Sequence, residues 1–247
     1  MAYDKLTEIL RDSSHIVFFG GAGVSTASGI PDFRSADGLW NQKYKQTLSP
    51  EEMVSASFFR RDPEDFFAFY KDKLVYPEAQ PNDCHRALAA LEKAGKLDAV
   101  VTQNIDGLHQ KAGSRRVFEL HGSVLRNYCT RCHAFYDADY VLSAPGVPKC
   151  GKCGATVKPD VVLYEECLDD EVVEGAASAI KKADCLIIGG TSLVVYPAAG
   201  FIHYFRGKHV VLINKSETQA DGMAELVIRD DIARVLGEAV RQLGLAV

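Results

Sequence analysis

Short apolar runs alternate with amphipathic segments along most of the chain. Runs rich in Val and Ile, bounded by Gly, Asn or charged residues, predict buried strands. They lie at 15–20, 98–104, 160–164, 184–190, 208–214 and 225–229. Helical spacing of apolar residues predicts helices between them, at 83–96, 169–183 and 231–244. This alternation predicts an α/β fold, a Rossmann-like parallel sheet covered by helices on both faces.

Two stretches interrupt the alternation and predict a smaller inserted domain. Residues 36–80 contain two helix-like pieces, at 49–62 and 63–75, and residues 124–159 hold paired cysteines among Gly, Pro and Lys. We expect these stretches to form a helical module and a zinc-binding module. The remaining, Rossmann-like domain then consists of residues 1–35, 81–123 and 160–247. A cleft between a large and a small domain is where ligands commonly bind.

The paired cysteines indicate a metal site. Cys129 and Cys132 form one Cys-x-x-Cys pair, Cys150 and Cys153 form another, and 17 residues separate the pairs. This spacing is typical of four-cysteine zinc sites, and four thiolates leave no coordination position open. We therefore expect one structural Zn²⁺ ion. The alternative is two unrelated redox-active pairs.

Charge and hydropathy narrow the class of protein. The 28 basic and 33 acidic residues give a net charge of −5, which argues against a dedicated nucleic-acid binder. The N-terminus lacks a continuous apolar secretory segment, and small polar residues and Pro197 interrupt the longest uncharged run, at 185–202. Seven cysteines without a secretory signal also argue against a disulfide framework. We expect a cytoplasmic monomer that binds neither membrane nor nucleic acid.

A glycine loop follows the first predicted strand. Gly21 and Gly23 permit a tight turn and close approach of the backbone to phosphates, and a helix beginning near Ser25 would direct its N–H groups at them. The G-x-G-x-x-G fingerprint is incomplete, because Thr26 replaces the third glycine and no strand with a ribose-binding acid follows. The loop predicts dinucleotide binding and disfavours a dehydrogenase. A purely structural glycine turn remains the alternative.

Polar residues follow several predicted strands. Because ligands bind outside the carboxyl ends of parallel strands, these residues predict a binding site. They are Gln103, Asn104, Asp106, His109, His121, Thr191, Ser192 and Asn214. We expect Thr191 and Ser192 to bind phosphate or ribose, and Asn214 to bind an adenosine edge.

The distinctive stretches of the chain are the two cysteine pairs, "GAGVSTASGIPDFRS" (21–35), "TQNIDGLH" (102–109), "HG" (121–122), "GTSLVVYP" (190–197) and "IN" (213–214). Together they resemble the sirtuin family of NAD-dependent protein deacylases, over about residues 5–240. The resemblance implies a protein-lysine deacetylase that consumes NAD and acetyl-lysine. Its products are nicotinamide, O-acetyl-ADP-ribose and lysine.

The resemblance also assigns roles to residues. His121 is the general base toward the ribose hydroxyls, and Asn104 is the second catalytic residue and orients the nicotinamide ribose. Phe33 shields the reactive carbon, Arg34 meets phosphate charge, and Asp106 accepts from the nicotinamide carboxamide. The implied NAD-binding residues are Gly21, Ala22, Gly23, Thr26, Phe33, Arg34, Gln103, Asn104, Ile105, Asp106, His121, Gly190, Thr191, Ser192, Asn214 and Ile232.

The implied partner is an acyl-lysine protein or peptide, which adds as a strand between 160–164 and 192–197. Val162, Tyr164 and Val194 are the expected contacts, with Val162 bonding the acyl-lysine amide. The chain departs from the family here. It reads "KPDVVLYEE" (158–166), whereas relatives often have "RPxVVxFGE", so Lys158, Tyr164 and Glu165 replace Arg, Phe and Gly.

Other activities stay open at this point. Tyr70 and Lys73 form a Tyr-x-x-Lys pattern. Relatives that remove acidic acyl groups carry Tyr-x-x-Arg in this region, so a desuccinylase or other deacylase is one alternative. A mono-ADP-ribosyltransferase that cleaves NAD in the same way is a second, and a non-catalytic NAD-sensing module is a third.

Overall fold

The computed structural model describes residues 2–32, 38 and 48–247. The strands in these residues are β1 (Ile16–Gly20), β2 (Leu97–Thr102), β3 (Val117–Glu119), β4 (Gly122–Cys129), β5 (Phe135–Tyr136), β6 (Val157–Val161), β7 (Cys185–Gly189), β8 (His209–Ile213) and β9 (Leu226–Ile228). The helices are α1 (Ala2–Asp12), α2 (Pro50–Met53), α3 (Ala56–Arg61), α4 (Pro63–Lys73), α5 (Asp83–Lys93), α6 (Leu108–Lys111), α7 (Ala138–Ser143), α8 (Asp170–Lys182) and α9 (Ile232–Gln242). Within the same residues, no helix combines the length and apolarity needed to cross a membrane.

Six strands form a parallel sheet in the order β3-β2-β1-β7-β8-β9. From β1 the chain first builds outward through β2 and β3, and later crosses to the opposite side of β1 to add β7, β8 and β9. Renumbered within the sheet, this is the dinucleotide-binding order 3-2-1-4-5-6. The order reverses between β1 and β7, so a ligand crevice is expected at the carboxyl ends of these two strands.

Helices cover both faces of this sheet, which confirms the predicted layers. Strands β1 and β7 are fully buried, as their continuous apolar runs predict. One face packs against α1, α5 and α9. The other packs against α8 and a 3-10 segment, Ala198–Tyr204. Burial of both faces explains why polar and apolar residues do not alternate in these strands.

A second, antiparallel sheet has the order β5-β4-β6. Its apolar residues share one hydrophobic core with the helices of the 50–73 region. Phe58, Phe66 and Phe67 of the helices pack there with Val124 of β4 and Val157 of β6. The helical stretch and the cysteine-containing stretch therefore bury their apolar surface together. The exact division of the chain into domains remains a proposal.

Several local predictions were wrong. The strand predicted at 160–164 ends at Val161 and belongs to the antiparallel sheet, because its backbone pairs with β4 and not with the large sheet. The helix-like piece at 49–62 divides in two, because the Ser55 hydroxyl accepts from the Phe58 N–H and starts a new helix. The helix predicted near Ser25 is replaced by two 3-10 turns, Ala22–Val24 and Thr26–Ser28.

Replacing Leu212 by Ala tests the assignment of the central core. Leu212 in β8 is completely buried, so the substitution should lower the free energy of unfolding by about 2–5 kcal/mol. Chemical denaturation of the purified variant measures this change. Leu125→Ala is the matched control, because Leu125 is 49% exposed and should lose less than about 1 kcal/mol. Equal losses in the two variants would contradict this assignment of the core.

Candidate active site

A cleft of about 960 Å³ opens at the carboxyl ends of β1, β2, β7 and β8, below the segment that follows β6. The predicted site residues that line it are Gly21, Ala22, Gly23, Thr26, Gln103, Asn104, Ile105, Asp106, His121, Val162, Tyr164, Gly190, Thr191, Ser192, Asn214 and Ile232. Val194 is not part of this lining and is 54% exposed. Phe33 and Arg34 lie outside the described residues, so their roles stay predictions.

Two glycine segments meet at the floor of the cleft. The Gly23 N–H donates to the Gly190 carbonyl at 2.8 Å, and a Cβ atom on Gly23 would lie 2.9 Å from the Gly190 Cα. Gly190 itself has φ of +58°, a left-handed conformation that glycine adopts readily. The ends of β1 and β7 thus approach backbone to backbone. Glycine is required here by packing as well as by any approach of phosphate.

A buried polar network follows from this arrangement. The Ser25 hydroxyl donates to Asp106 Oδ2 at 2.6 Å, and Asn104 Nδ2 donates to Ser25 Oγ at 3.0 Å. The other carboxylate oxygen of Asp106 accepts from the Leu108 N–H at 2.9 Å. Burial raises the pKa of Asp106, and these hydrogen bonds partly offset that rise. The network fixes Asn104 and Asp106 against the glycine loop.

Ser25 lines the cleft, and its contacts there are not predicted by the sequence. The sequence places Ser25 in the glycine loop and at the start of a helix, whereas in the structure its side chain joins the loop to two residues after β2. The available signal was its position, a small hydroxyl residue inside a glycine loop. Its partners are 79 and 81 residues away in sequence, so the pattern along the chain gives no indication of the contact.

His121 lies in the short turn between β3 and β4, and one hydrogen bond holds its ring. Nδ1 is 3.0 Å from the Gln103 carbonyl oxygen. Because a carbonyl only accepts, Nδ1 carries the proton and Nε2 of the neutral ring is left as an acceptor. Burial lowers the pKa of His121, against a smaller opposing effect of this bond. His121 is therefore suited to accept a proton at neutral pH.

The backbone of His121 and of the following Gly122 is fixed as well. Gly122 has φ of +73°, and a Cβ atom there would collide with the Asp160 carbonyl oxygen. The His121 carbonyl accepts from the Val162 N–H at 3.0 Å. The ring is thus anchored to β2 through Gln103 and to the segment after β6 through its own main chain.

Gln103 and Thr191 connect the ends of β2 and β7. Gln103 Nε2 donates to Thr191 Oγ1 at 3.0 Å, and the same oxygen accepts from the Leu193 N–H at 3.2 Å. Gln103 and Thr191, each of which was predicted to contact the ligand, thus contact each other across β1. This contact orders the loop that begins at Gly190.

Residues 162–166, which follow β6, form the upper wall of the cleft, and of the predicted substrate contacts in this wall only Val162 has a main-chain acceptor that no described residue occupies. The Val162 N–H is already bonded to His121, and no described residue donates to the Val162 carbonyl. Tyr164 has its N–H bonded to the Val54 carbonyl and its carbonyl bonded to the Ala56 N–H, both at 3.0 Å. Of these two predicted substrate contacts, the Val162 carbonyl is therefore the group that can accept from an amide.

The four paired cysteines form one cluster, and none of them lines the cleft. Their Sγ atoms lie within 4.8 Å of one another, with Cys129 to Cys153 at 3.4 Å and Cys132 to Cys150 at 3.6 Å. Tetrahedral zinc with Zn–S bonds of about 2.3 Å places sulfurs about 3.8 Å apart, so the cluster fits this ion. His133, which is exposed, is not part of it.

The Tyr136 hydroxyl supports this donor set. It donates to Cys150 Sγ at 3.1 Å, and this bond, together with those from the backbone N–H groups of Lys152 and Cys153, lowers the pKa of that thiol to about 6. Backbone N–H groups of Arg131 and Cys132 point at Cys129 Sγ. Such N–H groups stabilise thiolates, which are the form that binds zinc.

Replacing Cys132 by Ser should remove zinc and unfold the antiparallel sheet around the cluster. A structural four-thiolate site contributes to folding, so loss of one ligand weakens both metal retention and local structure. Zinc content per chain and limited proteolysis measure the two effects. Cys167→Ser is the control, because Cys167 is exposed and lies outside the cluster. Retention of one zinc per chain in the Cys132 variant would contradict the assignment.

Comparison with known proteins agrees with this geometry. A model of the Sir2 family matches residues 21–197. The chain is 68% identical to an NAD-dependent protein deacetylase of Clostridium perfringens, over 96% of this chain and 98% of that protein. It is 57% identical to one of Clostridium tetani, over 97% of this chain and 98% of the other.

Solved structures give the same result. A Sir2 complex with a p53 peptide and NAD⁺ superposes with a TM-score of 0.86 at 36% identity, covering 99% of both chains. A complex of a Sir2 homologue with NAD superposes with a TM-score of 0.87 at 39% identity, over 98% of this chain and 93% of the other. Sequence and structure agree over nearly the full length, and the chain therefore belongs to the Sir2 family, the sirtuins.

Proposed function

We propose that this protein is an NAD-dependent protein-lysine deacetylase that converts NAD and acetyl-lysine into nicotinamide, O-acetyl-ADP-ribose and lysine. The observation that carries the proposal is the convergence, in one cleft, of the glycine loop, the Asn104–Ser25–Asp106 network and His121. The deacetylases named above and the peptide and NAD complexes of the structural relatives support it.

His121 is the general base of the proposed reaction. When NAD is bound, it supplies an electrophilic ribose carbon from which nicotinamide can leave. The Gln103 carbonyl holds the proton of His121 on Nδ1, so that Nε2 can take a proton from a ribose hydroxyl. Asn104, fixed by Ser25, orients the same ribose. Because the ring is anchored on two sides, little reorganisation is needed when the proton moves.

Asp106 and Ile105 form the proposed nicotinamide pocket. The Asp106 carboxylate is fixed by Ser25 and by the Leu108 N–H, and both of its oxygens retain lone pairs that can accept from a carboxamide. Ile105 packs at the edge of the hydrophobic core that the antiparallel sheet shares with the helices of the 50–73 region, here called the small-domain core, and it supplies an apolar wall. The pocket thus combines one buried acceptor with apolar surface, as expected for an aromatic amide.

The adenosine half of NAD is assigned to the opposite end of the cleft. Gly21, Ala22, Gly23 and Thr26 lie beside Gly190, with Thr191 and Ser192 next along the chain. Asn214 at the end of β8 and Ile232 at the start of α9 close this end. Because the Gly21, Gly23 and Gly190 N–H groups already donate to main-chain carbonyls, the remaining polar groups of these two loops are the proposed partners of pyrophosphate and ribose, and Ile232 is the proposed apolar contact of the base.

The acetyl-lysine peptide is proposed to lie as an extended strand between the segment after β6 and residues 192–196. The Val162 carbonyl accepts the amide N–H of the acyl-lysine. On the opposite side, Val194 is exposed, and no described residue bonds to its backbone N–H or carbonyl. These two segments offer main-chain groups on both sides of an incoming strand.

Removal of acidic acyl groups is the second candidate activity. Lys73 lines the cleft, which favours this alternative, whereas Tyr70 is buried in the small-domain core and does not line it. Lys73 also lies 3.1 Å from the Asp72 carboxylate, which reduces its attraction for a second carboxylate. Acetyl groups are therefore the proposed substrates, and a succinyl-peptide assay is the direct comparison.

Replacing His121 by Ala should lower kcat/KM for an acetylated peptide by about 10²–10⁴-fold, the usual contribution of a general base. Nicotinamide release in the presence of NAD measures the rate. His203→Ala is the control, since His203 is exposed and is not part of the cleft lining. Wild-type activity in the His121 variant would refute the assigned role.

The pH dependence of kcat/KM should reflect burial of His121. Burial lowers its pKa below the ordinary value of about 6.5, so the neutral, basic form persists to more acidic pH. The acidic limb of the profile is therefore expected below pH 6.5, with full activity on its alkaline side. Initial rates between pH 5 and 8 give the profile, and a limb centred above about pH 7 would contradict the argument.

A further inference from the structure

Glu165 has an unusual backbone conformation for its residue type. Its φ is +77°, in the left-handed region that residues with a Cβ atom rarely adopt. The residue lies at the end of the segment that forms the upper wall of the cleft, and it belongs to the cleft lining. A glycine would adopt this conformation without strain, so the presence of Glu here needs a compensating interaction.

Ser57 provides that interaction. The Ser57 N–H donates to one Glu165 carboxylate oxygen and the Ser57 hydroxyl donates to the other, both at 2.8 Å. Immediately beside them, Tyr164 exchanges two main-chain hydrogen bonds with Val54 and Ala56. These four bonds join the cleft wall to the start of α3 and hold the Glu165 carboxylate in one place.

Among the described residues, no cation neutralises the charge of this carboxylate. Its hydrogen-bond donors are neutral, and within residues 2–32, 38 and 48–247 no Lys, Arg or His lies within ion-pair distance of it. The adjacent Glu166 differs, because Lys158 Nζ lies 3.0 Å from its carboxylate. Glu165 is also exposed to solvent. It therefore presents a fixed negative charge at the rim of the cleft.

We propose that Glu165 is a specificity-determining residue that favours peptides with a basic residue near the acyl-lysine. The proposal rests on the proposed function, in which the Val162 carbonyl marks the position of the acyl-lysine amide. Glu165 lies three residues further along the wall, a distance of at most about 10 Å at the rise of an extended chain. Arg side chains a few positions from the acyl-lysine can span such a distance. A preformed carboxylate that forms no ion pair with the described residues then attracts them and repels acidic residues.

Glu165→Gln separates charge from backbone geometry. The side-chain amide keeps the length of Glu and one oxygen that can accept from Ser57, but it carries no charge. The assay uses acetyl-lysine peptides that differ only in having Arg, Gln or Glu at one of the four positions on either side. At one or more positions, wild-type kcat/KM should be about 3–10-fold higher for Arg than for Glu, as expected for an exposed charge pair. Glu165→Gln should reduce this ratio to less than about 2-fold.

The controls distinguish this proposal from its alternatives. Glu174→Gln removes the same charge from an exposed position on α8 outside the cleft lining and should keep the Arg preference. Raising the salt concentration from about 0.05 to 0.5 M should weaken the preference in the wild type, because salt screens exposed charges. Equal kcat/KM for the Arg and Glu peptides at every position in the wild type, or an unchanged ratio in Glu165→Gln, would overturn the proposal.

Failure of the proposed function has a different result. In that case the Gln peptide itself would release no nicotinamide with the wild-type protein. The affinities of fluorescently labelled Arg and Glu peptides, measured by anisotropy, then still compare the two charges without turnover. A preference for Arg that disappears in Glu165→Gln supports the role of Glu165. Equal affinities reject it.

Discussion

The close contact between two glycine segments at the ends of β1 and β7 determines the geometry of the cleft. Gly23 and Gly190 approach so closely that a Cβ atom on either residue would collide with backbone atoms of the other, and a hydrogen bond joins their backbones. This contact lies where the strand order of the parallel sheet reverses. The loop after β1 therefore follows two 3-10 turns across the strand ends, and does not continue into an α-helix. The site residues of β2 and β7 are arranged around that loop.

Polar groups in the cleft are held mainly by one another. Ser25, Asn104 and Asp106 form one network, Gln103 and Thr191 form a second contact, and the carbonyl of Gln103 orients His121. Burying such groups is costly unless their hydrogen bonds are made. Because they are already satisfied, the groups are fixed in place before any ligand binds. Preorganisation of this kind lowers the energy needed to reach a charged transition state.

The sequence predicted the elements defined by local pattern. The buried strands at 16–20 and 185–189 and the four-cysteine cluster follow from apolar runs and from spacing alone. Contacts between distant residues could not be predicted in this way. The pairing of β6 with β4, the bond from Ser25 to Asp106, and the occupied main chain of Tyr164 depend on partners far away in sequence. The roles of Phe33 and Arg34 and the domain boundaries remain predictions.

The products formed from NAD and an acetylated peptide distinguish deacetylation from the other reactions that begin with NAD. The measurement is mass-spectrometric quantification of all products after incubation with the purified protein. We expect one nicotinamide, one O-acetyl-ADP-ribose and one free lysine for each NAD consumed, and no consumption of NAD with the unacetylated peptide. Formation of NADH, or ADP-ribose covalently attached to protein in place of the acetyl ester, would contradict this expectation.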